Sequence, residues 1–287
     1  TTITATSDYS SFVKNLNKNL GCTDLKFRKK MATQSFKLTS EYDRLIYKWF
    51  SEKNNQDDVI NLKYGENPNQ KSFINKKGVR SILKYQISGK QISFNNIIDV
   101  DSGYKCLNEF KEATCVIIKH TNPCGVSSTN NIEKSFVNAF NSDSKSAFGG
   151  VVLLNRKVNK KLSEKISKFF FEVIVAPDFE NKAIEILKKK KNLILLKIKK
   201  IKNIRNNTRS TIFGDITQDE NNLKINKKFL SLVSSRKAPE KSIQDIIFAT
   251  KVAKHLKSNA IVLAKNKQTI GIGSGQTNRI DALTSAI

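Results

Sequence analysis

The chain has 287 residues, of which 38% are hydrophobic, which is enough for one large domain, part of another and a real core. No apolar run approaches bilayer length, and residues 1–10 lack the basic-then-apolar pattern of a signal peptide, so a cytoplasmic protein without membrane contact is expected. The four cysteines form no CxxC pair and the two histidines join no Cys/His cluster, which indicates free thiols and argues against a metal site.

The formal net charge is +26, a value typical of proteins that bind nucleic acid or an anionic membrane. The lysines are spread along the chain among many Asn and Ile residues, and A/T-rich codons encode all three residue types. Genomic base composition therefore explains much of the excess. Electrostatic steering of a phosphorylated or carboxylated small molecule is a second interpretation. A basic nucleic-acid-binding protein stays open as an alternative, although no KH or RRM signature supports it.

The N-terminal part is predicted to form two helices, at residues 8–20 and 23–50, with Ser7 and Thr23 as N-caps. Apolar side chains recur at helical spacing in the second helix, which predicts that they pack in a core. This stripe consists of Phe27, Met31, Phe36, Leu45, Ile46 and Trp49. Residues 51–58 are polar and charged without an apolar period, which predicts a linker.

After the linker, short apolar runs alternate with helical patterns, which predicts an α/β architecture with a largely buried sheet. Strands are predicted at residues 115–118, 150–154, 172–176 and 193–196. Helices are predicted at residues 162–171, 182–189 and 242–257. Two further apolar runs flank Asn266-Lys267, which predicts a hairpin turn between strands at residues 261–264 and 269–272.

The strongest local signal is the run KHTNPCG at residues 119–125, which directly follows a predicted strand. A strand that ends in a polar cluster places side chains at the carboxyl edge of a sheet, where open α/β sheets commonly bind ligands. His120 suits proton transfer near neutral pH, and the adjacent Lys119 can stabilise developing negative charge. A half-buried histidine before an ordinary turn is the simpler alternative, but the dense polar run favours catalysis. His255 lies in a lysine-rich helix and is predicted to be solvated.

Three further segments have side chains suited to binding. The run LKYGENPNQ at residues 62–70 places a cation beside an aromatic ring in a rigid loop, although a plain turn is the simpler interpretation. The run DSKSAFGG at residues 143–150 allows close backbone approach but matches no P-loop or dinucleotide spacing. Near the end of the chain, Asn259 can orient an amide, and Arg279 can bind a carboxylate or phosphate through two hydrogen bonds.

In this order the segments resemble one family, AICAR transformylase/IMP cyclohydrolase. Its transformylase half carries runs of the form LRYGENPHQ, YNNxxDAD, KHxNPCG, SAFGG, EVIIAPDF and KSNAxxxAKNGQxxGIGxGQxSRxD. The matching runs here lie at residues 62–70, 94–101, 119–125, 146–150, 172–179 and 257–281. The resemblance covers essentially the whole chain. It implies de novo purine biosynthesis by formyl transfer from 10-formyltetrahydrofolate to the 5-amine of AICAR, which gives FAICAR, with no metal required.

The resemblance also implies a role for each matching residue. His120 takes the general-base role on the amine, Lys119 assists with charge at the formyl group, and Asn259 orients the carboxamide. Contacts with the nucleotide substrate are implied for Lys63, Tyr64, Asn96, Phe148, Gly149, Glu172 and Arg279, and a contact with the folate for Ile280. Three positions depart from the family pattern: Lys63 replaces an arginine, Asn69 replaces a histidine, and Phe213-Gly214-Asp215 stands at a usual Gly-Gly pair.

The resemblance further implies a domain organisation. Residues 1–52 correspond to the helical tail of a methylglyoxal-synthase-like cyclohydrolase domain, residues 53–60 to a linker, and residues 61–287 to the N-terminal part of a cytidine-deaminase-like transformylase domain. A cytoplasmic homodimer with the site at its interface, and no nucleic-acid partner, is expected. The chain is expected to be a fragment truncated at both ends, without the cyclohydrolase site and inactive alone in formyl transfer.

A zinc nucleobase deaminase is a further alternative, because the transformylase subdomains resemble the cytidine deaminase fold. Deaminases pair H-x-E with a downstream P-C-x-x-C, which supplies the general acid and the zinc ligands. Here Asn122 stands where the glutamate is required, and Gly125-Val126 follow Cys124 without a second thiolate. The sequence therefore argues against a deaminase.

Overall fold

A computed structural model describes residues 1–51, 59–75, 82–199, 206–233 and 235–287. The chain divides into two compact units, the first comprising Thr1–Ile60 and Asn75–Lys77, the second Asn61–Ile74 and Gly78–Ile287. None of the helices in these described ranges is long and apolar enough to cross a membrane. The predicted linker falls mostly on residues 52–58, which lie outside the described residues, while Val59 and Ile60 already belong to a strand.

The first unit contains helices α1 (Tyr9–Lys18) and α2 (Leu25–Ser51), after a 3-10 turn at Thr6–Asp8. The predicted caps were wrong. Helix α1 has no side-chain cap, and the carboxylate of Asp24, one position after the predicted Thr23, accepts a hydrogen bond from the Phe27 N–H at 2.7 Å. An aspartate carboxylate is the stronger acceptor for the free N–H groups of a first helical turn.

The apolar stripe of α2 is buried only at its start. Phe27 and Met31 are buried, and the Phe27 ring stacks on Phe12 of α1 with centroids 6.2 Å apart. Phe36 and Trp49, in contrast, are 75% and 69% exposed. The prediction of a continuous core stripe was therefore wrong. Helix α1 has 10 residues and α2 has 27, so at a rise of about 1.5 Å per residue α1 can cover only part of its neighbour.

The second unit is built on an eight-stranded mixed sheet. Its strands are β3 (Gln86–Ser88), β4 (Ala113–Lys119), β5 (Asn122–Thr129), β6 (Val151–Leu154), β7 (Val173–Ala176), β8 (Ile194–Lys197), β11 (Ile261–Lys265) and β12 (Gln268–Gly273). They lie in the order β11-β12-β5-β4-β6-β7-β8-β3. The pairs β6–β7 and β7–β8 are parallel, and the others are antiparallel.

Two short sheets lie apart from the large one: β1 (Val59–Leu62) pairs with β2 (Ser72–Asn75), and β9 (Asn206–Thr211) pairs with β10 (Gly214–Asp219). The remaining helices are α3 (Phe94–Leu107), α4 (Ile132–Ser142), α5 (Ser144–Ala147), α6 (Lys160–Ser167), α7 (Asn181–Lys188), α8 (Glu240–Ala253) and α9 (Arg279–Ala286). The predicted strands at residues 115–118, 150–154, 172–176 and 193–196 correspond to β4, β6, β7 and β8. The alternating α/β pattern and the hairpin at Asn266-Lys267 are therefore confirmed.

Helices cover both faces of the sheet. Helices α4, α6 and α7 bury one face against alternate strand residues such as Ile117 and Val152. Helices α3 and α8 bury the other face against the intervening residues, such as Val116 and Leu153. Burial on both faces explains why the central strands are continuous apolar runs rather than alternating ones.

Helix α3 was not predicted from the sequence, although it lies directly on the sheet. The Ser93 hydroxyl caps it by accepting from the Asn96 N–H at 3.2 Å. Gly103 sets the distance to the strands, because a Cβ at this position would lie 2.3 Å from Leu153 Cδ1 and 2.7 Å from Ile118 Cγ1. Only a residue without a side chain allows the helix to approach this closely.

His255 is not the solvated residue that the sequence suggested. Its Nε2 lies 3.3 Å from Glu109 Oε1, and Lys254 Nζ lies 2.6 Å from the same oxygen. The three side chains are between 8% and 16% exposed. Burial alone would raise the pKa of Glu109, but hydrogen bonds from His255 and Lys254 and their charges hold it below its ordinary value. The cluster joins the end of α8 to the segment after α3.

We expect Gly103→Val to destabilise the second unit, since the added side chain overlaps two fully buried neighbours. Overpacking of this kind typically costs about 1–3 kcal/mol. Urea unfolding measures the loss. Lys134→Val, which introduces the same residue on the exposed side of α4, should change the free energy of unfolding by only about 0.5 kcal/mol. Equal effects of the two changes would contradict the close packing of α3.

We expect Glu109→Gln to destabilise the protein on the order of 1–3 kcal/mol at neutral pH, since Lys254 then keeps a buried charge without its partner. Because the folded pKa of Glu109 is depressed, its stabilisation is complete above the ordinary value of 4.5 and is lost as pH falls through the lower folded value. Unfolding measured against pH should show this acid-dependent loss in the unsubstituted protein and a smaller one in the variant.

The matched control is Glu112→Gln, which removes the ion pair between Glu112 and Lys267. That pair has the same 2.6 Å distance, but the Glu112 side chain is 49% exposed. Exposed pairs contribute about 0–1 kcal/mol. A larger loss of stability for Glu112→Gln than for Glu109→Gln would contradict the role assigned to the buried cluster.

Candidate functional site

The run at residues 119–125 forms a tight hairpin rather than a loop. Strands β4 and β5 pair up to Lys119 and Asn122, and only His120 and Thr121 lie between them. These two residues have φ values of 51° and 65°, which places both in the left-handed region of a two-residue hairpin turn. Non-glycine residues there carry on the order of 1–3 kcal/mol of strain each, so surrounding contacts must hold them.

The rest of the run continues as strand β5. Pro123 pairs with Ile118 next to a shift in register between Ile117 and Ile118. Proline has no N–H to donate to a ladder, so it is tolerated where the pairing is irregular. The expectation that His120 follows the end of a strand is confirmed, and Pro123 and Gly125 belong to the next strand.

Helix α3 holds the turn from one side. The Thr121 N–H donates to Asp99 Oδ1 at 2.6 Å, and the Ser102 hydroxyl donates to the Thr121 carbonyl oxygen at 2.6 Å. Burial raises the pKa of the Asp99 carboxyl above its ordinary value, although the Thr121 N–H and the charges of His120 and Lys119 oppose that rise. Neither Asp99 nor Ser102 was predicted as a site residue from the sequence, although Asp99 lies in the run at residues 94–101.

The turn is also joined to Ser274, the residue that directly follows β12. The Asn122 side-chain amide donates to the His120 carbonyl oxygen at 3.0 Å, and the Ser274 hydroxyl donates to Asn122 Oδ1 at 3.0 Å. Ser274 also contacts the Lys257 carbonyl oxygen at 3.4 Å. The turn that carries His120 is therefore connected through Asn122 and Ser274 to the segment that carries Asn259.

Asn259 itself is fixed by backbone groups. Its side-chain amide donates to the carbonyl oxygens of Gln276 and Thr277 at 3.0 and 3.1 Å. The Asn259 N–H and carbonyl oxygen also pair with the backbone of Gln276. Because the nitrogen of the amide is used in this way, its oxygen can accept a hydrogen bond from a ligand.

Lys119 extends from the end of β4 toward the glycine pair after α5. Its ammonium donates to the carbonyl oxygens of Phe148 and Gly149 at 3.0 and 3.1 Å. Gly149 has a φ of +67°, and a Cβ there would lie 3.0 Å from Lys119 Nζ. The positive φ favours glycine, and a side chain here would crowd the Lys119 ammonium. Phe148 is 64% exposed beside this contact, and its ring lies 5.1 Å from that of Phe170.

A second polar group lies between α3 and the start of β7. The Asn96 amide donates to Glu172 Oε2 at 2.9 Å, and Lys90 Nζ lies 3.9 Å from the same oxygen. Asn96 is only 4% exposed, and its Oδ1 has no hydrogen-bond partner among the described residues. An unpaired buried acceptor is costly, so Asn96 Oδ1 is suited to accept from a ligand donor.

The remaining predicted residues lie on two separate segments. Lys63 Nζ is 5.6 Å from the centroid of the Tyr64 ring, in a loop that Asn95 of α3 reaches by donating to the Glu66 carbonyl oxygen at 3.2 Å. Arg279 and Ile280 begin α9, and Ile280 is 72% exposed. Within the described ranges the Arg279 guanidinium has no hydrogen-bond or ion-pair partner, which leaves it available to an anion.

Hydrogen bonds thus connect some of the predicted site residues to one another and leave others separate. Direct contacts join Lys119 to Phe148 and Gly149, and join Asn96 to Glu172, while Asn122 and Ser274 connect the His120 turn to the Asn259 segment. Among the described residues, no hydrogen bond or ion pair joins Lys63, Tyr64, Arg279 or Ile280 to the His120 turn.

Cys124 lies beside the hairpin but is a poor candidate for a metal ligand or nucleophile. Burial, followed by the charge of Asp143, raises the pKa of its thiol to about 12. In the part of the chain that the structure describes, no group of three or more His, Cys, Asp or Glu side chains is placed to hold a metal ion.

The comparisons with known proteins identify one family. A family model described as AICARFT/IMPCHase bienzyme matches residues 1–287. The chain is 40% identical over 308 residues to the bifunctional purine biosynthesis protein PurH of Caldicellulosiruptor saccharolyticus, with 100% of this chain and 59% of that protein covered. It is 40% identical over 293 residues to the protein of the same name from Thermoanaerobacter sp., with 98% and 58% covered.

The bifunctional purine biosynthesis protein PurH of Buchnera aphidicola subsp. Schizaphis graminum is 41% identical over 302 residues, with 96% of this chain and 57% of that protein covered. The chain therefore spans 57–59% of the length of these curated relatives.

We expect thiol reagents to distinguish the cysteines at neutral pH. Cys22 is exposed, whereas Cys106 and Cys115 are buried and Cys124 is half-buried with a raised pKa. A thiol with a pKa near 12 has a thiolate fraction at pH 7 roughly a thousandfold below that of an ordinary cysteine. Iodoacetamide labelling followed by mass spectrometry should modify Cys22 first and Cys124 only after unfolding. Rapid labelling of Cys124 in folded Cys22→Ser protein would contradict the described burial.

Proposed function

The chain belongs to the AICARFT/IMPCHase bienzyme family, and on that premise we propose that it carries part of a site for formyl transfer from 10-formyltetrahydrofolate to the 5-amine of AICAR, a step of purine biosynthesis. The whole protein would then also have IMP cyclohydrolase activity. The observation that carries the proposal is the hairpin turn that holds His120 beside Lys119, with contacts leading to Gly149 on one side and toward Asn259 on the other.

His120 is the proposed general base. The aromatic 5-amine is a poor nucleophile, so removal of its proton must accompany attack of its nitrogen on the formyl carbon. The exposed imidazole of His120 follows the end of β4 and can take that proton. The bond between the formyl carbon and the folate nitrogen then breaks, and the leaving nitrogen takes a proton. General-base catalysis of this kind contributes about 10²–10⁴ in rate.

Lys119 is the proposed electrostatic partner. Negative charge develops on the formyl oxygen when the amine adds, and a fixed ammonium stabilises that charge. The carbonyl oxygens of Phe148 and Gly149 hold the ammonium of Lys119 next in sequence to the base. Asn259, whose amide nitrogen is already engaged, is proposed to orient the carboxamide of AICAR through its oxygen.

The nucleotide is proposed to contact Asn96 and Glu172, where the buried Asn96 Oδ1 can accept from a ribose hydroxyl. Arg279 is proposed to bind an anionic group of the substrate, and Lys63 with Tyr64 to supply a cation and a planar ring. Phe148 offers an exposed ring beside Gly149, and Ile280 an apolar contact for the folate. The proposed steps do not use a metal ion.

We further propose that residues 61–287 form a cytidine-deaminase-like transformylase part, and that residues 1–52 form the helical tail of a methylglyoxal-synthase-like cyclohydrolase part. Of the linker predicted between them at residues 53–60, Val59 and Ile60 belong to strand β1. The mixed sheet with helices on both faces supports the first assignment, and the two helices α1 and α2 support the second. A cytoplasmic homodimer with the site at the interface completes the proposal.

We expect His120→Ala to lower single-turnover formyl transfer by about 10²–10⁴ while AICAR affinity stays within a few-fold, since a general base acts mainly in the transition state. Lys63→Ala should instead weaken AICAR binding. The measurements are calorimetric titration of AICAR and rapid-quench transfer assays. Transfer is measured in the chain extended to full length with the corresponding segments of the Buchnera aphidicola relative.

Lys134→Ala, which removes an exposed cation from α4, is the control for loss of charge alone. It should leave both affinity and transfer unchanged. Near-normal transfer by folded His120→Ala protein would show that another group removes the proton, and the assignment of His120 would then be wrong.

A further inference from the structure

We infer that Asp99 and Ser102 are positioning residues for the proposed formyl transfer, because together they hold the peptide groups of Thr121 and thereby fix the conformation of the turn that carries His120. The inference rests on the proposed function of His120. Its physical basis is the pair of hydrogen bonds between α3 and Thr121. The motif at residues 94–101 includes Asp99 but assigns it no contact, and none of the motifs includes Ser102.

The two contacts are complementary. Asp99 accepts from the Thr121 N–H, and Ser102 donates to the Thr121 carbonyl oxygen, each at 2.6 Å. The two side chains stand three positions apart on α3, so they project from the same side of the helix. One helix therefore holds both backbone groups of a single turn residue.

The turn depends on these contacts because the backbone hydrogen bonds between β4 and β5 do not extend to it. The pairing of β4 with β5 ends at Lys119 and Asn122, so the groups of Thr121 fall outside it. His120 and Thr121 both adopt left-handed conformations that residues with side chains favour little. If the helix contacts were removed, the turn could relax to conformations in which the imidazole points elsewhere.

The same helix also carries Asn96, one turn before Asp99, and Asn96 donates to Glu172 at 2.9 Å. Helix α3 therefore links the proposed base to the proposed nucleotide-binding pair within two helical turns. Gly103 packs this helix directly against Ile118 and Leu153 of the sheet. The distance between base and bound nucleotide is thus set by a rigid element rather than by a loop.

The burial of Asp99 suggests which substitution preserves the contact. The Asp99 residue is only 9% exposed, and burial raises the pKa of its carboxyl. An uncharged acceptor of the same shape is therefore suited to the site. Asp99→Asn keeps an oxygen for the Thr121 N–H, whereas Asp99→Ala removes it, and Ser102→Ala removes the donor to the Thr121 carbonyl oxygen.

The first test measures the turn directly, without activity. Amide hydrogen exchange at Thr121, read by mass spectrometry or NMR in the 287-residue chain, should become about tenfold faster or more in Asp99→Ala. Asp99→Asn should keep most of the protection. The matched control is Asp101→Ala, which removes a 57% exposed carboxylate from the same helix and an ion pair with Lys105 rather than a contact with the turn. Asp101→Ala should leave exchange at Thr121 unchanged.

The second test measures transfer in the full-length protein described above. Asp99→Ala and Ser102→Ala should each lower kcat, by up to about 10²-fold for a misplacement of roughly 1 Å, while KM for AICAR stays within a few-fold. Asp99→Asn should recover most of the lost kcat. A purely structural role would not produce this split between kcat and KM or this recovery.

The outcomes separate the two proposals. Faster exchange at Thr121 with unchanged kcat overturns the positioning role, and so does unchanged exchange in Asp99→Ala. If Asp99→Ala does not fold, Ser102→Ala and Asp99→Asn decide the question by the same two measurements. If His120→Ala itself transfers normally, His120 is not the base and the positioning role loses its premise, whatever the exchange data show. If the unsubstituted full-length protein transfers no formyl group, the proposed function itself fails.

Discussion

The covering of both sheet faces by helices is the constraint on which the rest of the second unit depends. Residues of β4 alternate between two apolar clusters, one under α4, α6 and α7 and the other under α3 and α8. Polar side chains can therefore contact solvent or ligand only where strands end. Lys119 and His120 stand at such an end, and Glu172 immediately precedes β7, two strands away in the sheet. The architecture thus collects the polar residues at the strand ends.

This constraint also explains which elements the sequence could predict. Strands β6 and β7 are buried on both faces, so they are unbroken apolar runs and were predicted correctly. Helix α3 was missed because Asn96, Asp99 and Ser102 are polar but face other parts of the chain. Polar residues at inward-facing positions interrupt the helical spacing of apolar residues from which a helix is predicted. In α2 the spacing identified an apolar face correctly, but spacing does not tell what covers such a face, and Phe36 is exposed.

The residues of the candidate site could be predicted where they are neighbours in the sequence. The motif around His120 indicated a strand end with a cation and an imidazole, and the structure has both there. The contacts that hold the turn were not predictable, since Asp99 and Ser102 lie 22 and 19 positions before Thr121 and no motif relates them. Likewise Ser274 lies 152 positions after Asn122. Contacts of this kind depend on how helices and strands pack.

The hairpin of β9 and β10 contains the departure from the family pattern at Phe213-Gly214-Asp215, and its geometry shows why that departure is compatible with the fold. Gly214 has a φ of +113° and nothing near its Cβ position, whereas Phe213 and Asp215 have no positive φ. Glycine is therefore required at one position of the turn and optional beside it. Every residue of both strands is exposed, and Phe213 is 93% exposed. Substitutions there bury nothing and open no cavity, so they change the free energy of unfolding far less than substitutions in the sheet beneath α3.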